Sequence, residues 1–200
     1  MNRKELKTRA RATIKGKIWM VLAITLIVGI GVSLIGQFTY GLGTLLVTGS
    51  IMISLAVIFL KMVQEDRKPE LGDILIGFKG DNFKRGLVAY LLMTVYVMLW
   101  SLLLIVPGII KALAYSQVFY ILADDDKIDP KEALKKSNKM MEGHKGEFFM
   151  LGLSFLGWGL LTAITFGIAA IWVAPYMQAT YANYYLYLKG ESGEGKKKDE

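Results

Sequence analysis

Cysteine is absent from this sequence, and histidine occurs once, at His144. The first absence excludes disulfides, thiolate nucleophiles and cysteine-based metal sites; the second leaves too few ligands for zinc. No H-E-x-x-H, G-x-S-x-G or Walker A pattern is present, so no recognised hydrolase or nucleotide-binding chemistry is indicated. Asp124, Asp125, Asp126 and Asp129 lie close together, but the glycine of an EF-hand turn and the glutamate that closes its loop are both missing. They read as a solvated loop ending in a helix cap. The expectation is a protein that is not an enzyme and needs no metal or cofactor.

Charge is missing too, over long runs. No Asp, Glu, Lys, Arg or His occurs in 18–60 or 148–188, and Lys111 alone interrupts 86–123. Since about 20 apolar residues cross the hydrocarbon core as a helix, each run suits two crossings joined by a turn. Helix breakers lie near each middle: Gly36, Gly41 and Gly43, then Pro107-Gly108, then Gly167. Open sheets are excluded because unpaired backbone groups cannot face lipid, and the alternation of a membrane barrel is missing. The expected fold is all-α, a polytopic membrane protein of six transmembrane helices forming three hairpins. It makes one domain, 1–190, followed by a disordered charged tail, 191–200. A removable signal peptide is the competing reading of the start. The first apolar run, however, outlasts an h-region and lacks a small-x-small cleavage site.

Of the 24 Lys and Arg residues only Lys111 falls inside a run; the others flank the runs on one side, together with all 17 acidic residues. The positive-inside rule makes that side cytoplasmic, with both termini there, in the cell membrane. The net charge of +7 falls in blocks between apolar stretches rather than along one face. Anionic lipids of the bilayer, not nucleic acid, are therefore the expected partner, with a membrane-protein partner also open.

The chain also resembles itself. Lys79-Gly80-Asp81-Asn82-Phe83 and Lys145-Gly146-Glu147-Phe148-Phe149 share a layout, with a looser copy at Lys15-Gly16-Lys17-Ile18-Trp19. Tyr-x-Gln-x-x-Tyr recurs at Tyr115, Gln117, Tyr120 and at Tyr176, Gln178, Tyr181. Three parallel repeat units, about 1–64, 65–123 and 124–190, follow from these spacings. Each opens with a cytoplasmic segment. Asn2 with Glu5, and Asp129-Pro130 with Glu132, are helix-start signals. Leu6, Ala10 and Ile14 form one apolar stripe; Ala133, Leu134, Ser137 and Met141 form another. The segment 69–78 is weakened as a helix by Gly72 and Gly77. A basic helix with an apolar stripe suits the headgroup boundary. Arg3, Lys4, Lys7, Arg9, Arg11, Lys15 and Lys17 are thus candidate membrane-surface binding residues.

Within the runs, Lys111 stands out because a charge at the bilayer centre costs roughly 2.5 to 3.5 kcal/mol on insertion scales. Lying just past Gly108, it is expected near the outer surface, where its ammonium snorkels to water. Tyr115, Gln117, Tyr120, Tyr176, Gln178, Tyr181 and Asn183 place polar groups in the two returning helices, to bond between helices or to line a cavity. Small residues recur every four positions at Gly108, Ala112, Ser116 and at Gly159, Ala163, Gly167, a pattern of close helix packing. Pro175 is expected to kink the last helix.

Several stretches together resemble a known family. They are Asn2-Arg3-Lys4-Glu5-Leu6-Lys7, the central Leu104-Ile105-Val106-Pro107-Gly108-Ile109-Ile110-Lys111 leading to Tyr115-Ser116, and Tyr120-Ile121-Leu122-Ala123-Asp124. Glu132-Ala133-Leu134-Lys135-Lys136-Ser137, Met140-Met141-Glu142-Gly143-His144-Lys145, Ala174-Pro175-Tyr176 and Tyr181-Ala182-Asn183 continue the pattern. The sequence resembles the bacterial integral-membrane family known as domain of unknown function 975. That resemblance implies a bacterial cytoplasmic-membrane protein and no particular activity or site residues. The central pattern is also similar to the membrane region fused to some glycerophosphodiester phosphodiesterases, whose catalytic domain is not found here. Two functions are open: a non-catalytic module binding lipid or a partner through its basic helices, or a small transporter or pore with a polar path between the repeats.

Overall fold

The computed structural model describes residues 3–39, 42–165, 167 and 169–191. Among the described residues every regular element is helical. The first helix, α1 (Arg3–Ile14), is joined through Gly16, at φ +81, to α2 (Ile18–Phe38), which is followed by α3 (Leu42–Gln64). A 3-10 segment, Leu71–Phe78, leads into α4 (Asn82–Leu103), α5 (Ile105–Ala114) and α6 (Val118–Asp124). The rest comprises α7 (Pro130–Met140), α8 (Lys145–Leu153), α9 (Leu156–Ile164) and α10 (Ala170–Glu191). Asn2, the expected cap of α1, and the tail from 192 onward lie outside the described residues.

Five stretches are helical, long and apolar enough to cross a membrane: Ile18–Gln37, Gly43–Gln64, Asn82–Leu103, Ile105–Asp124 and Lys145–Ile164. The sixth expected crossing, α10, has the length, 22 residues, but does not qualify. Its tyrosines, Gln178, Asn183 and Pro175 dilute the apolar residues that make the other five hydrophobic. Burial separates centre from periphery. The Gly43–Gln64 and Ile105–Asp124 stretches are 56% and 50% buried, against 17%, 11% and 11% for the others. The first two therefore form the heart of the bundle, and the other three surround it.

The closest packing lies toward the end where α3 finishes and α1 meets α2. Ile53, Phe59 and Met62 of α3, Val118, Ile121 and Leu122 of α6, and Tyr184, Tyr185 and Leu188 of α10 are buried there. At the opposite end Leu102, Ile105 and Leu160 are 84%, 76% and 66% exposed. So much apolar surface at one end suits hydrocarbon rather than water.

Glycines set how near the helices come. A Cβ on Gly49 of α3 would lie 2.0 Å from the Gly86 carbonyl oxygen of α4, so the two backbones touch there. The expected second turn moves from Pro107-Gly108 to Leu104, which is extended between α4 and α5. Pro107 is tolerated inside α5 because it occupies the first turn, where N–H groups have no helical partner. Gly108 instead lets α5 approach Ser101. Of the two small-residue patterns, the one starting at Gly108 is used for contact; Gly159 has no neighbour within 4 Å of its Cβ position. Gly167, at φ +90, forms its turn as expected.

Two helices are interrupted. Between α5 and α6, the Ser137 hydroxyl of α7 donates to the Ala114 carbonyl at 2.8 Å and accepts from the Gln117 N–H at 3.3 Å. The broken backbone is thereby satisfied from outside the helix. A second break, at 154–155, separates α8 from α9. The helix start at α7 follows the sequence: Asp129 accepts from the Lys131 N–H at 2.8 Å, with Pro130 in the first turn. The weak segment 69–78 becomes the 3-10 element, held by Ser54, which donates to the Ile74 carbonyl and accepts from the Gly77 N–H.

Candidate membrane-surface site

Helix α1 divides its faces sharply. Leu6, Ala10 and Ile14 are buried against the bundle, so the stripe expected to enter the headgroup boundary is used for packing inside the protein. The neighbouring face carries Lys7, Arg11 and Lys15, spaced by four and therefore aligned along the helix. The Lys7 ammonium donates to the Ser154 carbonyl at the α8–α9 break and stands 4.4 Å from the centre of the Phe155 ring. The Arg11 guanidinium lies 5.5 Å from the centre of the Tyr176 ring. Both are cation–π contacts on one aromatic shelf. Phe155 and Trp158 meet Tyr176 edge-on, with centroids 5.5 and 6.4 Å apart.

Beyond Arg11 and Lys15 a groove of about 520 Å³ opens, walled by Ile18, Trp158, Trp172, Val173 and Tyr176. Arg11 and Lys15 are exposed, and neither is in an ion pair among the described residues. The Tyr176 hydroxyl, shut off from solvent, has no hydrogen-bond partner among them. Two unneutralised cations beside an apolar cleft with two tryptophans can take a molecule that is anionic at one end and hydrocarbon at the other. Trp158, Trp172 and Phe155 were not distinguishable in the sequence from aromatic residues scattered through an apolar run.

The other basic candidates part company with this group. Arg9 faces the other way, pairs with Glu5 at 2.7 Å, and lines a hollow with Asp66 and Asn183. Lys17 is a correction: it is 8% exposed and is paired with Asp66, to whose carbonyl it also donates. The turn at Gly16 swings it inward to the end of α3 rather than toward lipid. The side chains of Arg3 and Lys4 lie outside those described.

The intramembrane candidates divide as well. Tyr115, Tyr120, Gln178 and Tyr181 line one cavity of about 250 Å³ between α3, α4, α5, α6 and α10. Tyr120 donates to the Gln178 side-chain oxygen at 3.1 Å. Gln117 is fully buried outside this cavity, donating to Ser116 while its own carbonyl oxygen has no partner among the described residues. Asn183 donates to the Ala179 carbonyl one turn back. Lys111 lies seven residues beyond the Leu104 turn, deeper than expected, with its ammonium 5.2 Å from the Trp100 ring centre and 5.9 Å from that of Tyr115. Moving the turn to Leu104 sets this spacing, and two aromatic rings stand beside the half-buried lysine.

One further cation was missed. Arg85, 9% exposed at the start of α4, donates to the carbonyls of Ile128, Leu122 and Asp125 and to the Asn82 side chain. It ties the acidic loop to the bundle and satisfies carbonyls at the end of α6. Lys189 of α10 closes the same region on Asp124. No group of three or more potential metal ligands occurs among the described residues.

The chain belongs to the family described as protein of unknown function DUF975, whose model matches residues 1–113 and 102–192. No curated protein and no solved structure matches it.

Proposed function

We propose that this protein is a non-catalytic membrane module that holds an anionic phospholipid at the groove beside α1. The observation that carries this reading is the pair Arg11 and Lys15, exposed and without carboxylate partners among the described residues, at the mouth of a groove walled by Trp158 and Trp172. The phosphate sits on the cations and an acyl chain lies along the tryptophans. In this reading α10 is a sixth crossing of the cell membrane, the three hairpins are parallel repeats, and both termini are cytoplasmic. The flanking positive charge and the matching length of α10 support it. Cysteine placed at Thr39 should react with an impermeant reagent in intact cells, and cysteine at Lys135 only after permeabilisation.

Lipid binding is tested by native mass spectrometry of the full chain with added phosphatidylglycerol or phosphatidylcholine. A basic residue at an anionic surface contributes about 1 kcal/mol, so Arg11→Ala and Lys15→Ala should each weaken phosphatidylglycerol about fivefold, and salt should weaken it further. Equal retention of the two lipids, or an unaltered double variant, would end this reading. A second reading, a small transporter, is favoured by the 250 Å³ cavity alone. Saturable solute flux in proteoliposomes would put it first.

A further inference from the structure

The cavity lined by Tyr115, Tyr120, Gln178 and Tyr181 has a chemistry unlike that of the α1 groove. Among the described residues none that lines it is charged; Met52 and Met93 complete the apolar wall. A charged ligand would shed its hydration where no counter-ion lines the cavity, since the nearby Lys111 ammonium stands against the Trp100 and Tyr115 rings rather than in the lining, and this is strongly unfavourable. The polar groups show an imbalance. The Gln178 side-chain oxygen is taken by Tyr120, which leaves the two N–H donors of its amide. The hydroxyls of Tyr115 and Tyr181 have no hydrogen-bond partner among the described residues. Unpaired donors therefore line the cavity, beside hydroxyl oxygens that can also accept. Its volume of about 250 Å³ equals that of roughly eight waters, less than a drug-sized molecule needs. Ala112 and Met52 bring exposed surface to its edge, both within membrane-crossing stretches, so entry is from the lipid side.

We infer that this cavity binds a small uncharged, bilayer-soluble carbonyl compound, its oxygen accepting from Gln178 and the tyrosine hydroxyls and its apolar body lying against Met52, Met93 and Phe119. The inference stands apart from the lipid site, since it uses none of the residues of the α1 groove.

The test uses benzophenone, a neutral aromatic ketone that is its own photolabel. Its excited carbonyl takes a hydrogen atom from a nearby C–H bond, and the two resulting radicals join in a C–C bond. The full chain in phospholipid nanodiscs is irradiated with increasing benzophenone and the adducts are mapped by peptide mass spectrometry. Saturable labelling at Met52 or Met93 is expected. Tyr181→Phe, which removes one donor, should raise the half-saturating concentration about two- to tenfold, and Ala112→Leu, which fills the edge, should reduce labelling further. The anionic 4-benzoylbenzoate should not compete. Labelling that rises without saturation, that spreads over lipid-facing residues such as Leu102, or that is unaffected by both variants overturns the proposal. So does competition by the carboxylate.

Discussion

Adding one methyl group to α3 should push two helices apart. At Gly49 an alanine Cβ would lie 2.0 Å from the Gly86 carbonyl oxygen and 2.4 Å from its carbon. Even the close Cα–H···O contacts between packed helices keep about 3.3 to 3.6 Å between carbon and oxygen, so α3 and α4 would have to separate by more than 1 Å. The obstruction is backbone, which cannot rotate away as a side chain can. At Gly86 the nearest approach is 2.8 Å, to the Gly49 carbonyl carbon, and a shift of under 1 Å suffices. At Gly29, on the exposed side of α2, nothing lies within 4 Å. Overpacking costs typically about 1 to 3 kcal/mol, while alanine in place of glycine gains up to about 1 kcal/mol in helix propensity. Gly49→Ala should therefore lose about 2 kcal/mol, Gly86→Ala less, and Gly29→Ala should be neutral or slightly stabilised. For a chain of this size that lowers Tm by about 4 to 8 °C for Gly49→Ala, read by fluorescence-detected size exclusion after heating in detergent. If Gly49→Ala melts with Gly29→Ala, the α3–α4 contact described above is wrong.

Arg85→Ala strands the carbonyls of Ile128, Leu122 and Asp125, and charge-assisted bonds are worth roughly 1.5 to 3 kcal/mol each. A loss of about 3 kcal/mol is expected in the same melting assay, with Arg85→Lys near half of that; an unchanged Tm for Arg85→Ala would show that water replaces the guanidinium. Lys111→Met loses its contacts with Trp100 and Tyr115, worth about 0.5 to 2 kcal/mol, but removes a charge that costs roughly 2.5 to 3.5 kcal/mol at the bilayer centre. Insertion and Tm should hold or rise, and a fall of more than about 5 °C would show that the cation has a structural partner elsewhere.

The helices were legible where composition alone decides the outcome. Runs without charge marked the five hydrophobic stretches, because hydrocarbon imposes the same demand on every residue of a crossing. The last helix shows the limit: its absence of charge suggested a crossing equal to the others, yet Tyr176, Gln178, Tyr181 and Asn183 lower its hydrophobicity. Tyr115, Tyr120, Gln178 and Tyr181 could be singled out one by one as polar groups in apolar runs. That those four meet at one cavity, while Gln117 and Asn183 do not, depends on how α3, α6 and α10 pack, and no local pattern encodes it. Lys17 carries the same sign as its neighbours in the chain and so reads as a membrane-surface residue, while Arg85 reads only as one of the charges on the cytoplasmic side. The turn at Gly16 and the carbonyls at the end of α6 put them inside.

The three segments α1, the 3-10 element and α7 share a task which their sequences do not announce. In each a polar side chain meets backbone that a regular helix leaves unsatisfied and ties the segment to the bundle. Lys7 of α1 reaches the Ser154 carbonyl at the α8–α9 break; Ser137 of α7 bridges the Ala114 carbonyl and Gln117 N–H at the α5–α6 break. In the 3-10 segment the direction is reversed, with Ser54 of α3 serving Ile74 and Gly77. Hydrocarbon has no water to bond such groups, so a break persists only where protein satisfies it. The apolar stripe of α1 is consequently committed to the bundle and is not free to bury itself among acyl chains. What α1 can still offer a lipid is charge, from Arg11, which stands over Tyr176, and Lys15, both lining the groove that Trp158 helps to wall. An interfacial helix held mainly by its apolar face would keep its membrane contact at high salt; attraction through these two cations should fade over a Debye length of about 8 Å at physiological salt and shorter above it.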